Sequence, residues 1–342
     1  MRRLVKAEIL WTRKCPLKCS YCGMVDYPFE KAPTEQMCEG VRRLAKLGCE
    51  FAAIYGSSPL WSCEFEGLPE FVRECGRQGV LTTVIADGVD KQSKEKVALL
   101  YEAGLRSLTC SLDADPSQKE HFADKATQVK AGKGLELIRW WKKTFYEEPI
   151  DAQLTATVTR RNWRALLGAV PMLSKEGIWF SFDFVHPDRG QPGTKCKGTA
   201  EGLRFESTME DMLAVSQFAS ELWKLKEEGA LIHQSSEYLR ALFEQPGLVT
   251  SLKWMCNRGK AFPAWVTVDA DGSVLPCDDF WTDRSLKVWD LEEVTLEAFG
   301  RLYRKEVETK CPGCIWSTHW DAVQIVDGGD GFEHYAHMEA RQ

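Results

Sequence analysis

The chain has 342 residues, which at about 150 residues per domain corresponds to two domains or to one large barrel with an addition. Hydrophobic residues make up 44% and charged residues 27%, a composition that excludes a disordered chain. The net charge of −6 argues against a nucleic-acid-binding or anionic-membrane surface, because neither partner would be attracted electrostatically.

The first half of the chain alternates short apolar runs with amphipathic helical segments, which is typical of a parallel β/α sheet or barrel. The predicted strands lie at 7–12, 51–55, 81–86, 107–112, 153–159 and 179–185. The predicted helices between them lie at 34–47, 68–78, 93–103, 126–144 and 163–175, and Thr34 is expected to cap the first one. Six β/α units fall short of the eight of a closed barrel. We therefore expect an α/β fold, a partial (β/α)6 barrel.

The second half changes character after a turn-rich loop at 186–193. Helical patterns follow near 209–228 and 235–244. From Cys256 onward the pattern indicates short strands and turns, with Asp271-Gly272 as a hairpin turn between strands at 265–268 and 273–275. The predicted domains are a partial barrel at 1–195, a helical linker at 196–255 and a small α+β domain at 256–342.

Cysteine usage points to metal rather than to disulfides. The chain has 13 cysteines, an odd number, and no apolar stretch that fits a signal peptide or a membrane span. Long chains of this kind are unlike the short disulfide-rich secreted domains. We expect a cytoplasmic protein whose thiolates serve as metal ligands.

The first cysteine motif, CPLKCSYC, follows the first predicted strand directly and contains Cys15, Cys19 and Cys22. Three close thiolates can hold three irons of a [4Fe–4S] cluster and leave the fourth iron open. A zinc site is the alternative, although zinc prefers four closed ligands. Together with Tyr21 before the third cysteine, the motif resembles the signature of the radical S-adenosylmethionine (SAM) superfamily. The resemblance implies that the open iron binds the amino and carboxylate groups of SAM.

Polar residues at the later strand ends extend the resemblance. The segment Gly56-Ser57-Ser58-Pro59 stands where the superfamily usually has Gly-Gly-Glu-Pro, a site for the SAM amino group, so serine replaces the second glycine and the glutamate. Asp87-Gly88 follows the third strand, where relatives often have Asn-Gly, and Ser111 and Asp113 resemble a Ser-x-Asp found near the SAM ribose or carboxylate. The SAM-binding residues that the resemblance implies are Tyr21, Gly56, Ser57, Ser58, Ser111, Asp113 and Asn162.

A second cysteine set lies near the C-terminus and consists of Cys256, Cys277, Cys311 and Cys314. The hairpin should bring Cys256 and Cys277 together, and Cys311 and Cys314 form a tight pair. The set resembles the SPASM domain in its shortened twitch form, which implies one auxiliary [4Fe–4S] cluster. Ligation by all four thiolates would leave no open iron, so this cluster would relay electrons. Structural zinc is the alternative.

Candidate catalytic residues follow from strand alternation and from the remaining thiols. In Phe180-Ser181-Phe182-Asp183-Phe184 the phenylalanines should face the helices, which leaves Ser181 and Asp183 inside the barrel. Asp183 is the candidate substrate-contacting acid, and Glu8 in the first strand is a second one. Cys63 and Cys196 lie in predicted loops and could donate hydrogen in an epimerase. Cys110 should face the covering helices as an inert buried thiol.

The resemblance implies an enzyme that reductively cleaves SAM to a 5′-deoxyadenosyl radical and abstracts hydrogen from a substrate, with a flavodoxin- or ferredoxin-type electron donor. The first strand begins by about residue 7, so we expect no N-terminal leader-binding module and favour a small polar substrate, in an oxidation or rearrangement. One alternative is a maturase or epimerase of a ribosomally made peptide. The alternative from another class is a zinc-binding structural or interaction protein on a degenerate barrel. No nucleic-acid or membrane partner is expected.

Overall fold

The computed structural model describes residues 4–26, 30–61, 63–113, 122–186, 202–251, 263–277 and 284–310, together with Ser317 and Trp320. Eight strands of this part form one sheet in the order β6-β5-β4-β3-β2-β1-β7-β8. The first six are β1 (Lys6–Thr12), β2 (Phe51–Gly56), β3 (Leu81–Ala86), β4 (Ser107–Ser111), β5 (Asp151–Val158) and β6 (Trp179–Phe184).

The first six strands are all parallel, and each is the sheet neighbour of the next strand in the chain. A doubly wound sheet reverses its strand order at a switch point, whereas consecutive neighbours leave every connecting helix on one face. The helices between the strands are α1 (Thr34–Lys46), α2 (Leu68–Arg77), α3 (Ser93–Glu102), α4 (Lys125–Thr144) and α5 (Trp163–Lys175). The prediction of a partial (β/α)6 barrel is confirmed.

The two faces of the sheet differ in chemistry, as strand β6 illustrates. Phe182 packs edge-on against Phe218, with ring centroids 5.0 Å apart, and both rings are fully buried in the core. Ser181 and Asp183 point to the opposite face and line a cavity. On β4, Cys110 is likewise buried on the helix side, 3.1 Å from the place that a Cβ on Gly134 would occupy. The predicted alternation is therefore confirmed on both strands.

A C-terminal hairpin extends the barrel sheet. It consists of β7 (Trp265–Val268) and β8 (Val274–Leu275), which pair antiparallel around the predicted turn. Gly272 has φ +79°, and a Cβ there would lie 2.1 Å from the Trp289 ring, so both the turn and the packing require glycine. Strand β7 pairs parallel to β1. This pairing joins residues far apart in sequence, and the domain division at 195 and 256 stays a prediction.

Four further helices complete the described part: α6 (Met209–Glu227), α7 (Ser236–Glu244), α8 (Gly247–Ser251) and α9 (Glu293–Lys310). The last two were not predicted. The predicted cap of α1 is wrong, because Pro33 occupies the N-cap position and Thr34 is already the first helical residue. Within the described ranges, no helix combines the length and the apolar character needed to cross a bilayer.

Candidate active site

The three thiols of the first motif lie in the loop between β1 and a 3₁₀ turn at Met24–Asp26. Cys15, Cys19 and Cys22 are all free of disulfides. The backbone closes around them, since the Cys22 N–H donates to the Cys19 carbonyl oxygen at 3.1 Å and the Leu17 N–H donates to Cys15 Sγ at 3.4 Å. Hydrogen bonds to sulfur are one of the ways in which proteins tune iron–sulfur clusters.

The donor set of this loop, three thiols, fits a [4Fe–4S] cluster with one open iron. A structural zinc site needs four ligands around one ion, whereas a [4Fe–4S] cube takes one thiolate at each of three separate irons. Burial raises the pKa of Cys15 to about 12 and that of Cys19 to about 11. Bound iron would supply the positive charge that the thiolate forms need.

The inner face of the sheet encloses a cavity of about 310 Å³. Cys22 of the thiol loop is one of the residues that line it. Residues from β1 to β6 line it, as do side chains from the loops at the carboxyl ends of the strands. In barrels of parallel strands this end carries the chemistry. The predicted site residues that line the cavity are Tyr21, Gly56, Ser57, Ser111, Asp113 and Asp183.

A hydrogen-bonded group of Tyr21, Asp113 and Lys130 lies beside the thiol loop at the carboxyl end of the cavity. The Tyr21 hydroxyl donates to Asp113 Oδ2 at 2.8 Å, and Lys130 Nζ lies 3.1 Å from the same oxygen and 3.0 Å from the hydroxyl. Asp113 Oδ1 accepts the Thr157 N–H at 2.9 Å, which ties the group to β5. The predicted residues Tyr21 and Asp113 thus contact each other directly, and Lys130, which was not predicted, contacts both.

Burial and the neighbouring charges favour one protonation state of Tyr21 and one of Lys130. Burial raises the pKa of Tyr21 well above its ordinary value, and the Asp113 carboxylate raises it further. Burial opposes the charge on Lys130, but Asp113 and Tyr21 outweigh it and raise the pKa of the lysine. A protonated tyrosine and a charged lysine therefore hold the Asp113 carboxylate in a fixed orientation at the cavity wall.

The end of β2 is bound tightly to the end of β1. Gly56 has φ +144°, and a Cβ there would lie 2.3 Å from the Thr12 carbonyl oxygen. The Ser57 N–H donates to that oxygen at 2.9 Å, and the Ser57 hydroxyl donates to the Arg13 carbonyl oxygen at 2.9 Å. Gly56 and Ser57 thereby present backbone to the cavity close to the thiol loop. Ser58 is 1% exposed and is not among the cavity-lining residues.

Asp87, at the end of β3, is a buried carboxyl group in the cavity wall. Burial raises the pKa of Asp87, and the Val89 N–H, which donates to Oδ1 at 2.9 Å, partly opposes that rise. Asp87 also raises the pKa of Cys15, although less than burial does. The carboxyl group therefore lies within electrostatic range of the thiol loop.

Asn162 lies between the end of β5 and the start of α5 and binds backbone groups. Its side chain accepts the Thr159 N–H at 2.7 Å and donates to the Thr157 carbonyl oxygen at 2.8 Å and to the Asp113 carbonyl oxygen. The amide is 2% exposed and does not line the cavity. The amide binds backbone groups at the ends of β4 and β5 behind Asp113. A SAM contact of Asn162 stays a prediction.

Asp183 connects the cavity with the C-terminal part of the chain. Asp183 Oδ1 accepts the Ser317 hydroxyl at 3.0 Å and the Ser317 N–H at 3.2 Å. Gln234 donates to the Ser317 hydroxyl at 3.2 Å and to the Phe182 carbonyl oxygen at 2.8 Å. Ser317 follows Cys314 by three residues. Ser317 thus forms part of the cavity wall.

The amino ends of the strands close the cavity with polar groups that bind one another. Lys6 and Glu8 of β1 form an ion pair of 2.9 Å, and both are at most 4% exposed. Gln153 donates to the Ser181 hydroxyl at 2.6 Å. Glu8 therefore faces the cavity, as predicted.

The other predicted cysteines have varied locations. Cys63 is exposed and does not line the cavity, and its role as a hydrogen donor stays a prediction. Cys277 is buried and follows β8. The predicted residues Cys196, Cys256, Cys311 and Cys314 lie outside the described residues.

Comparisons with known proteins place this geometry in context. No protein-family model matches the chain. The chain is 25% identical over 277 residues to the curated PqqA peptide cyclase of Rhodopseudomonas palustris, covering 78% of this chain and 65% of that protein. The chain thus spans slightly less than two thirds of this relative's length.

Solved structures share the fold. SuiB of Streptococcus suis bound to S-adenosylmethionine matches with a TM-score of 0.63 and 13% identity, covering 96% of this chain and 76% of that one. The structure of anSMEcpe with bound AdoMet and Cp18Cys peptide matches with a TM-score of 0.60 and 15% identity, covering 98% of both chains. At this identity the structures show the fold alone. Together with the sequence match, they confirm the resemblance to the radical SAM superfamily.

Proposed function

We propose that this chain is a radical SAM enzyme that abstracts hydrogen from a peptide substrate. One observation carries the proposal: three free thiols on the loop after β1 stand at the carboxyl end of a cavity inside six parallel strands. Cys15, Cys19 and Cys22 would hold the [4Fe–4S] cluster. When bound, the cluster supplies one electron to SAM, which yields methionine and a 5′-deoxyadenosyl radical that takes hydrogen from the substrate.

The residues of this chain would position SAM and exclude water from the radical. Tyr21, Asp113 and Lys130 are joined by hydrogen bonds of 2.8 to 3.1 Å, so the carboxylate that faces SAM is already oriented before SAM binds. Gly56 and Ser57 present backbone to the same space, and Ser111 lines it from β4. Preorganised contacts of this kind lower the cost of ordering a ligand for reaction.

The peptide substrate is supported by the comparisons. PqqA peptide cyclase is named for a peptide, SuiB has been solved bound to the precursor peptide SuiA, and anSMEcpe has been solved with the Cp18Cys peptide. A small polar molecule, which the sequence alone favoured, is the second candidate. The size of the cavity, about 310 Å³, favours it, because such a space suits a compact ligand.

The C-terminal cysteines extend the proposal to electron transfer. Cys256, Cys277, Cys311 and Cys314 would hold one auxiliary [4Fe–4S] cluster, within the proposed domain at 256–342. The hydrogen bonds between Ser317 and Asp183 support it, since they hold Ser317, three residues after Cys314 in the sequence, against the cavity wall. An electron leaving the substrate radical would then have a nearby acceptor, in an overall oxidation that starts with an electron from a flavodoxin or ferredoxin.

The test is deuterium transfer. Anaerobically reconstituted protein is incubated with SAM, dithionite and synthetic peptides corresponding to short reading frames beside its gene, each carrying perdeuterated residues. We expect one peptide to increase 5′-deoxyadenosine formation and to place deuterium in it. A response to small polar compounds but to no peptide would favour the second candidate. Failure of iron-loaded protein to cleave SAM would contradict both.

A further inference from the structure

The end of β3 contains a buried carboxyl oxygen with no partner in the described part of the chain. Asp87 is 4% exposed and lines the cavity, and its Oδ2 has no hydrogen-bond partner there. The other oxygen, Oδ1, accepts the Val89 N–H at 2.9 Å. A buried acceptor without a donor is costly, so a ligand in the cavity is the natural source of the missing hydrogen bond.

Neighbouring groups of the chain do not meet this need. Ser58 lies beside the carboxylate and favours its charged form, yet Ser58 Oγ also has no partner with hydrogen-bond geometry among the described residues. Lys130 is the cation that acts on Asp87, but its ammonium group is held 3.1 Å from the Asp113 carboxylate. Asp87 therefore faces the cavity with one oxygen available.

The location of Asp87 indicates which end of a ligand it would meet. Asp87 follows the carboxyl end of β3, at the same end of the parallel sheet at which the thiol loop follows β1, and it lines the cavity together with Cys22. Ser58 stands where the motif after β2 is expected to provide an acid, so β2 offers no carboxylate here. The next strand supplies one instead, at its own carboxyl end.

We propose that Asp87 Oδ2 accepts a hydrogen bond from the amino group of SAM and replaces the acid that the β2 motif lacks. The inference rests on the proposed function, since it needs SAM beside the thiol loop. In the sequence, Asp87 stood out only because it follows the third strand. The structure supports a SAM-binding role for it. The hydroxyl groups and adenine of SAM lie elsewhere in the molecule and would not depend on Asp87.

The variant Asp87→Asn tests this contact with little disturbance. Its amide oxygen can still accept the Val89 N–H, and Asn before Gly88, which has φ +69°, suits the same turn. The amide nitrogen would replace Oδ2 and can only donate, so it cannot accept from the SAM amino group. If Asp87 acted as a protonated donor instead, asparagine would substitute for it without loss.

The experiment measures dissociation constants by equilibrium dialysis for S-adenosylhomocysteine, which has the amino group, and 5′-methylthioadenosine, which lacks the whole amino-acid part. In reconstituted Asp87→Asn we expect about 10- to 100-fold weaker binding of S-adenosylhomocysteine and unchanged binding of 5′-methylthioadenosine. Asp90→Asn is the control for charge nearby, because Asp90 already pairs with Lys96 at 3.0 Å.

Each other outcome has a definite meaning. Unchanged binding of S-adenosylhomocysteine, or equal weakening of both ligands, would overturn the role of Asp87 while leaving the radical SAM proposal intact. The iron content of the variant, compared with that of the unchanged protein, separates a lost contact from a lost cluster. Absence of binding of either ligand to iron-loaded unchanged protein would instead count against the proposed function itself.

Discussion

The two ends of the cavity use polar residues in different ways. At the amino ends of the strands, Lys6 and Glu8 pair with each other at 2.9 Å. At the carboxyl ends, Tyr21, Asp113 and Lys130 form an oriented group beside the thiols, and Asp87 keeps an oxygen without a partner in the described part of the chain. Buried polar groups without a full set of partners lower the stability of a fold, and proteins retain them mainly where a ligand supplies the missing partner. This difference supports the proposal that SAM binds at the thiol end.

The largest expected effect at the thiol end follows from Cys19→Ala. With two four-iron clusters, the unchanged protein should bind about eight irons per chain, and the variant should bind about four, because the loop would keep only two thiolates. Iron and sulfide analysis after anaerobic reconstitution measures this. Cys63→Ser is the matched control, since that thiol is exposed and outside the cavity, and it should retain all the iron.

Lys130→Met should have the next largest effect. Removing the ammonium group leaves the Asp113 carboxylate buried with a weaker set of partners, which should lower the free energy of unfolding by about 3 kcal/mol. Denaturant unfolding measures the loss, and Lys130→Arg should restore much of it. Lys133→Met, one turn away on α4 and half exposed, should change stability by less than about 0.5 kcal/mol. Equal losses in both variants would contradict the role of Lys130.

A substitution at the amino ends of the strands should have a smaller effect. It should lower stability without changing SAM binding. Glu8→Gln keeps the size of the side chain but removes the charge opposite Lys6, so we expect a loss of about 2 kcal/mol in the free energy of unfolding. Binding of SAM should not change, because the pair lies at the other end of the strands. A large loss of SAM affinity in this variant would show that the two ends are not separate.

Sequence patterns predicted the barrel because local signals determine it. Each β/α unit has its own apolar run and amphipathic helix, and the strand bounds agree with the structure to within two residues. Alternation along β6 also placed Ser181 and Asp183 correctly, since the period of a strand fixes which residues share a face.

What the sequence could not provide was pairing over long distances. Strand β7 lies beside β1, about 260 residues earlier in the chain, and a hairpin pattern does not indicate where its edge will attach. Lys130 has the appearance of an ordinary charge on an amphipathic helix until α4 is packed over β4. Its position in the first turns of the helix after Asp113 was the available signal. Asn162 shows the converse, because an amide at a strand end suits a ligand and a backbone cap equally well.

SAM cleavage at the thiol end of the cavity can be measured without knowing the substrate. The measurement is the amount of 5′-deoxyadenosine that iron-loaded protein forms from SAM with dithionite, followed by chromatography in the absence of substrate. We expect steady formation by the unchanged protein and by Cys63→Ser, and none by Cys19→Ala. Unchanged protein that carries its full iron content and yet forms no 5′-deoxyadenosine, or equal formation by Cys19→Ala, would show that the thiol loop does not perform SAM chemistry.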